Sequence, residues 1–522
     1  MSSNYLGRLV GKTVSELCFR CLYNTPLSIG GIAMVDDPEV KRKYLLRITN
    51  ISYGHESAEA NWAEKAAGRM IEEDIKGESY RIHDAERRLY KLVTCSPLGF
   101  VADGQFHRPR SIPTHFSLVS LPDQETMVFL RDYSGDLIVG DLRCGETVMD
   151  IPLGIEGSAL AQHIGIFATT GMGKSNLMKV LAAAIMEKES YGLLIFDPHG
   201  EYHDGGKSGG RKGLVDHPLA DRRLFTYTTR KLKGNFSALK IPISEIEIED
   251  IAQIFSFSQA QYEALHAIGY KYGKAWLETL IKGDLATLAE ELGSGHMSFH
   301  ESTLGVILRR AERVAGFGTV TRDNSLSTVG DVIGKLQRGY TVLIDTANLS
   351  QAEETIIGSV LTRSVLKSYR TKYQSADDFD HLCPSLILIE EAQRVLSAST
   401  GDSNIFYQVA REGRKFKVGL GVVTQQPKLL SEELLSQLNS IFILGLADER
   451  DRAIVRSSAK QDISALGTEI QTLSAGEALL TSPSVPFALP LKIYLYEDYL
   501  RRVDGHAGKR ATSQVDDKFF GP

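Results

Sequence analysis

Two hydrophobic periods divide the chain. Up to about residue 150, apolar and polar residues alternate in short runs at Leu6–Val10, Ile32–Val35, Tyr44–Ile51, Leu89–Val93 and Leu137–Val139. Turn clusters such as Asp36-Asp37-Pro38 and Gly135-Asp136 separate them. Short strands at this spacing predict a small barrel or sandwich, with one helix over Glu56–Asp74. From about residue 152, continuous apolar runs alternate with helical patterns. Strands are predicted at Ile164–Phe167, Leu193–Phe196, Thr341–Ile344, Leu386–Ile389, Gly419–Val423, Ile441–Leu444 and Glu477–Leu480. Helices fall between most of them, notably at Glu353–Tyr369 and Ile405–Phe416, which predicts a parallel sheet covered on both faces. Between about Ser244 and Leu336 the pattern is helical without strands, a helical insertion within the second domain. The expected division is 1–150, 151–243, 244–336, 337–500 and a polar, frayed tail at 501–522.

The richest chemistry follows the first strand of the second domain. Ala168-Thr-Thr-Gly-Met-Gly-Lys-Ser175 lies between the apolar Ile164–Phe167 and an amphipathic helix with apolar Leu177, Leu181, Ala184 and Ile185. Strand before and helix after is the context of a phosphate-binding loop. Its backbone N–H groups, from Thr170, Gly171, Met172 and Gly173 through to Asn176, would wrap a polyphosphate at the positive end of the helix. Lys174 reaches the terminal phosphates and Ser175 offers a hydroxyl to Mg²⁺. The first loop position is Ala168 in place of the usual Gly, which is tolerable if its φ is negative.

Hydrolysis needs a second half to this site. The buried strand Ser385–Ile389 ends in Glu390-Glu391, followed by Ala392-Gln393-Arg394. Carboxylates at the C-terminal end of an apolar strand stand where an α/β nucleotide site needs them. Successive strand side chains point apart, so the two are expected to do different work. Glu390 is assigned to the Mg²⁺ shell through water, and Glu391 to orienting and deprotonating the attacking water. Asp197-Pro-His-Gly-Glu-Tyr202 ends a neighbouring strand on the same rim, followed by the basic, glycine-rich Gly205–Gly213, read as a surface loop or a DNA-phosphate contact. Arg411 and Arg414 share a helical face, and either can serve as an arginine finger in a neighbouring subunit's site. Gln425 ends the strand before Gln426-Pro427, well placed to sense a γ-phosphate or a water.

Composition narrows the setting. The formal net charge of the 522 residues is −6, so any nucleic-acid contact is confined to a channel or patch. No stretch of about eighteen apolar residues and no charged-then-apolar leader is visible, which predicts a soluble, cytoplasmic protein without membrane partners. Five cysteines are few and odd in number; Cys18 and Cys21 read as core thiols of a reducing compartment.

Together these residues resemble the HerA family of the HerA/FtsK superfamily, in its archaeal type. The resemblance rests on Leu6-Gly-Arg-Leu-Val-Gly11, His163–Ser175, Phe196–Tyr202, Ile389–Ala392, Ala410–Phe416, Thr424-Gln425 with Pro427, and Gly476-Glu-Ala478. It implies an α/β fold with a RecA-like P-loop ATPase core, an N-terminal β-barrel of HAS type and an inserted helical bundle. It implies a ring of six subunits with double-stranded DNA in its channel, using ATP and Mg²⁺. Lys174 and Ser175 would carry the nucleotide, Glu391 would be the catalytic acid, Arg414 the finger acting in trans (with Arg411 the other candidate) and Gln425 the sensor. Gln162, Gln393 and Gln426 depart from the family's usual Arg, His and Arg. The family implies an ATP-dependent DNA translocase or helicase that works with a NurA-like nuclease in end resection and recombinational repair. The other reading is a ring-shaped scaffold that regulates an effector, a nuclease or an NAD-consuming enzyme, in antiphage defence.

Overall fold

A computed structural model describes residues 4–77, 82, 85–206, 210–292, 299–396 and 404–504. The middle of the glycine-rich loop (207–209) and residues 505–522 of the expected tail lie outside the described residues; the first four residues of that tail, 501–504, are helical, not frayed. The first strands are β1 (Tyr5–Leu9), β2 (Leu17–Leu22), β3 (Ile32–Asp37), β4 (Arg42–His55), β5 (Leu89–Ala102), β6 (Gln105–His107) and β7 (Leu118–Ser120). They pair antiparallel in the order β2-β1-β7-β3-β4-β5-β6, and β2 also pairs with β5. That pairing closes six strands into a barrel, which removes their free edges and leaves β6 appended outside the ring. Alternation turns Leu9, Phe19, Val35, Tyr44, Leu46 and Val93 into its core. All five cysteines are free thiols; Cys18 and Cys21 are buried on β2. The helix of this region runs Trp62–Lys76, starting six residues later than expected.

The remaining strands are β8 (Leu137–Cys144), β9 (Thr147–Ile155), β10 (Ile164–Phe167), β11 (Gly192–Asp197), β12 (Leu224–Thr228), β13 (Ser237–Ala238), β14 (Ile241–Pro242), β15 (Val320–Thr321), β16 (Thr341–Asp345), β17 (Ser385–Ile389), β18 (Val418–Thr424), β19 (Ser440–Ile443), β20 (Glu477–Thr481) and β21 (Leu489–Ile493). Apart from the separate β14–β15 pair, they form one twelve-stranded sheet, ordered β13-β12-β16-β11-β17-β18-β10-β19-β20-β21-β8-β9. Strands from β13 to β19 run parallel, and the pairings from β19–β20 to β8–β9 are antiparallel. The run β16-β11-β17-β18-β10-β19-β20-β21, with β20 reversed, is the RecA-like arrangement. β10, β11, β16 and β17 are buried along their full length, as parallel strands covered on both faces must be.

Two expectations change here. The run at Leu137–Val139 belongs to this sheet through β21, not to the barrel, and an end of the first unit at 150 would cut β9. The helix Lys174–Lys188 is not amphipathic: residues 177–186 are all buried, because β8, the 214–216 turn and the Tyr496–Leu500 segment cover its outer face.

Between β14 and β16 lie the helices Ile248–Ala252, Gln259–Tyr272, Trp276–Lys282, Leu285–Leu292, Glu301–Ala315 and Val329–Gln337, and the two-residue β15 interrupts a region expected to hold no strand, because it pairs with β14 at the insertion's start. Trp276 is buried and donates its indole N–H to the Ile246 carbonyl at 2.9 Å. Asp250 ties this insertion to the long helix Gln351–Lys372, accepting from Ser359 at 2.6 Å and from Arg363 at 2.5 Å. Barrel and sheet meet at a buried ion triad. Arg47 of β4 grips Glu469 with two bonds of 2.7 and 2.6 Å, and Arg143 of β8 adds a third at 2.5 Å. None of the described helices is long and apolar enough to cross a membrane.

Candidate active site

The loop Ala168–Gly173 leaves the C-terminal end of β10, whose sheet neighbours are β18 and β19. This is a crossing point of strand order, where open α/β sheets bind ligands. Both neighbours hold the loop: Ala168 N–H bonds Thr424 O at 3.3 Å, and Thr169 N–H bonds Gly445 O at 3.0 Å. Gly171 and Gly173 take the left-handed conformation, at φ 85° and 96°, that the tight wrap requires. Ala168 is fully buried and is not among the residues with positive φ, so its methyl is accommodated.

Thr170, Gly171, Gly173, Lys174, Ser175 and Asn176 line a cavity of about 520 Å³ with Glu390, Glu391 and Gln425. Met172 supplies backbone instead: its carbonyl accepts from Gly476 N–H at 3.1 Å, and its side chain packs on Gly445. Asn176 turns its amide to the Tyr494 carbonyl, at 2.7 Å.

Glu390 and Glu391 do not point apart. Strand geometry ends at Ile389, and Glu391 adopts a left-handed conformation, φ 50° and ψ 46°, at the start of the 3₁₀ turn Ala392–Arg394. Such a conformation costs a non-glycine residue about 1–2 kcal/mol and here aims the carboxylate inward. Lys174 Nζ consequently meets both carboxylates, at 3.2 Å for Glu390 and 2.9 Å for Glu391. Glu391 also accepts from Gln425 at 2.9 Å and from Gln393 at 2.6 Å. The Gln393 carbonyl in turn accepts from the Thr424 hydroxyl at 2.6 Å, and Thr170 donates to the Gln425 carbonyl. Burial alone would raise the Glu391 carboxyl, but Lys174 and the two glutamines outweigh it and bring it down to about 2. Burial likewise works against the Lys174 ammonium, and the two carboxylates hold it above the ordinary lysine range.

On the β11 side, Asp197 is fully buried and accepts backbone N–H bonds from His199, Gly200 and Tyr202 at 3.1, 2.7 and 3.0 Å. Burial, with Glu390 nearby, pushes its carboxyl up to about 7. Tyr202 is buried and donates to Glu390 Oε1 at 2.9 Å, while Ser175 donates to Glu201 at 3.1 Å. The other Glu390 oxygen is buried with no hydrogen-bond partner. The Ser175 hydroxyl and the Glu201 and Glu390 carboxylates, one Glu390 oxygen being unsatisfied, are hard oxygen donors lining the cavity, a set whose chemistry fits Mg²⁺. Among the described residues no group of three His, Cys, Asp or Glu side chains is placed to hold a metal alone. Waters and phosphate oxygens would complete the shell, as Mg²⁺ prefers.

Nothing in the sequence pattern alone assigns a role to Glu201, Tyr202 or Gln393. The signal for the first two was their position just past a strand beside the loop. Gln393 was visible only as a departure from a family pattern.

Arg411 and Arg414 stand elsewhere. Arg411, near the end of the helix Ile405–Glu412, bonds Glu433 at 2.8 Å. Arg414 is exposed and precedes β18, close enough to the buried His163 at the start of β10 to help lower that imidazole, after burial, to about 4. Seven residues of β18 separate this edge from Gln425, about 20 Å at strand rise. The two arginines therefore stand at the opposite edge of the sheet from the cavity of their own chain.

Residues 138–365 match the family model described as "Helicase HerA, central domain". The chain is 29% identical over 412 residues to the DNA double-strand break repair helicase HerA of Sulfolobus acidocaldarius, covering 77% of this chain and 78% of that protein. It is 28% identical over 375 residues to the protein of the same name from Saccharolobus solfataricus, covering 70% and 71%. Among solved structures, VirB4 of Thermoanaerobacter pseudethanolicus aligns at 14% identity and a TM-score of 0.45, covering 69% of this chain and 96% of that one. With the phosphate-binding loop, the paired carboxylates and the RecA-like sheet in place, the chain is a P-loop ATPase, and its residues 138–365 are similar to the central domain of HerA helicases.

Proposed function

We propose that the chain is an ATP-driven motor on double-stranded DNA. It works in double-strand break repair as a ring of six identical subunits, with a NurA-like nuclease as partner. The observation that carries this reading is the convergence of Lys174, Glu391 and Gln425 on one cavity, with Arg414 at the far edge of the same sheet. The names of the relatives, DNA double-strand break repair helicases, supply the substrate and the process.

Lys174 pairs with Glu391, and a carboxylate held at about 2 is a poor base. ATP changes that balance. Its terminal phosphate draws the Lys174 ammonium away, and the proton affinity of Glu391 rises as its strongest partner leaves. Gln425 lies between the Glu391 carboxylate and the Thr170 hydroxyl, placed to position water beside the γ-phosphorus. The water oxygen bonds phosphorus, the bond to the ADP oxygen breaks, and Glu391 takes the water's proton. Mg²⁺, held by Ser175 and through water by Glu390, would neutralise the β- and γ-phosphate oxygens. Gln393 fixes the Glu391 carboxylate through its own bond to Thr424.

Arg414 completes the neighbouring subunit's site, which couples the subunits of the ring. Such a finger contributes about 10³–10⁵ in rate where it has been measured in other phosphoryl-transfer systems. Each of Arg414→Ala and Lys174→Ala alone should abolish turnover. Mixed rings should regain part of it, because some interfaces then pair an intact Lys174 with an intact Arg414. Absence of recovery in rings shown to be mixed would contradict the assignment in trans. The motor reading itself is tested by ATP-dependent displacement of streptavidin from the biotinylated end of a linear duplex. Displacement by the wild type and none by Glu391→Gln is the expected result; none by either would contradict it.

A further inference from the structure

The phosphates do not fill the cavity, and sheet order says where the nucleoside must lie. Glu390 and Glu391 follow β17 and Gln425 follows β18, so both groups stand on one side of β10. The terminal phosphate has to meet Glu391, which directs the rest of the nucleotide to the other side, past β19. β21 lies on that side. It runs parallel to β10, because β20 is reversed against both β19 and β21. The end of β21 therefore opens on the same rim as the phosphate-binding loop, and residues 494–497 follow it directly.

This segment is built to present one side chain. Asn176, in the first turn after the loop, donates to Tyr494 O at 2.7 Å and accepts from Tyr496 N–H at 2.9 Å, gripping the backbone on both sides of Leu495. Tyr494 is tied down by its hydroxyl on Asp141, at 2.6 Å, and the Tyr496 ring is buried. Leu495 between them is 60% exposed and lines the cavity. Among the described residues around that cavity it is the one aliphatic side chain; the others are polar, charged or glycine. A solvated leucine fixed at the mouth of a polar cavity offers an apolar surface to a ligand there, and the flat face of a nucleobase is the apolar part of a nucleotide.

We infer that Leu495 is the nucleobase contact of this ATPase, held over the cavity by Asn176. This deepens the reading above and rests on ATP being the ligand of the cavity. It gives Asn176 a positioning role: its amide is spent on the 494–496 backbone, and it acts on the nucleoside through Leu495.

Equilibrium titration with Mg-ATP and with Mg-tripolyphosphate, which has the phosphates but no base, separates the contact from the loop. Leu495→Ser is expected to weaken ATP about tenfold, the order of effect of losing most of one leucine's apolar contact. Tripolyphosphate affinity should stay within about twofold, and Leu495→Met, which keeps an apolar surface, should retain ATP affinity. Unchanged ATP affinity in Leu495→Ser, or an equal loss for both ligands, would overturn the inference. The same titration on Lys174→Ala tells the two failures apart: undiminished binding of both ligands there would overturn the ATP reading of the cavity.

Discussion

Replacing Glu391 with Gln is expected to lower ATP turnover by about 10²–10⁴-fold while ATP binding persists. The amide is nearly isosteric and can still bond Gln393 or Gln425, but it cannot take the proton of the attacking water. Binding should not suffer, because the substitution removes one of the two carboxylates that hold Lys174 before the nucleotide arrives. Lys174 then moves to the phosphates against a smaller opposing attraction, so ATP affinity is expected to hold or rise. Phosphate release and equilibrium ATP binding, measured on the same preparation, check both halves. Loss of binding together with turnover would assign Glu391 to holding the loop, not to proton transfer.

The largest effect on stability is expected at the seam between barrel and ATPase sheet. Glu469 is 2% exposed and is the shared anion of Arg47 (1%) and Arg143 (4%). Arg47 Nη1 and Arg143 Nη1 bond the carbonyls of Ala488 and Gly145, so both guanidinium groups are committed to this position. Removing the carboxylate in Glu469→Ala leaves two buried cations facing each other, a loss of about 3–5 kcal/mol for breaking such a network. Thermal unfolding should show it as an earlier transition, while replacing all three residues with apolar ones of similar volume should recover much of the loss. Acid should act on the same contact. Burial raises the Glu469 carboxyl, yet the two arginines outweigh it and hold it below the usual glutamate range. A lowered folded value means that the triad's contribution is present above the unfolded glutamate pKa, about 4.3, and is lost as pH falls through the folded value. An acid transition of wild type that persists unchanged in the apolar triple variant would assign acid sensitivity to other groups.

The chemical half of this protein was legible because its strands are short apolar runs that end in the residues that matter. β10 runs into the loop, β11 into Asp197, β17 into Glu390-Glu391 and β18 into Gln425. Less was legible where a strand carries a mixed signal. β21 contains Pro490, which argues against a central strand, yet it pairs between β20 and β8. β12, Leu-Phe-Thr-Tyr-Thr, follows two arginines and is short, and it joins the sheet by pairing with β16, more than 100 residues away in the chain. Alternation also says nothing about which sheet a strand joins, which is why β8 read as one of the barrel strands. The inward turn of Glu391 was beyond the period-two rule because it depends on a left-handed residue after the strand has ended. The cover over the helix Lys174–Lys188 was equally invisible, since segments more than 300 residues away in the chain supply part of it.

A motor of the proposed kind couples ATP hydrolysis to movement on duplex DNA. The most direct measurement is ATP turnover with and without linear double-stranded DNA, for wild type beside Glu391→Gln. Duplex should raise wild-type turnover severalfold, and the variant should stay inactive in both conditions. Slow wild-type turnover that is indifferent to duplex would contradict the motor reading.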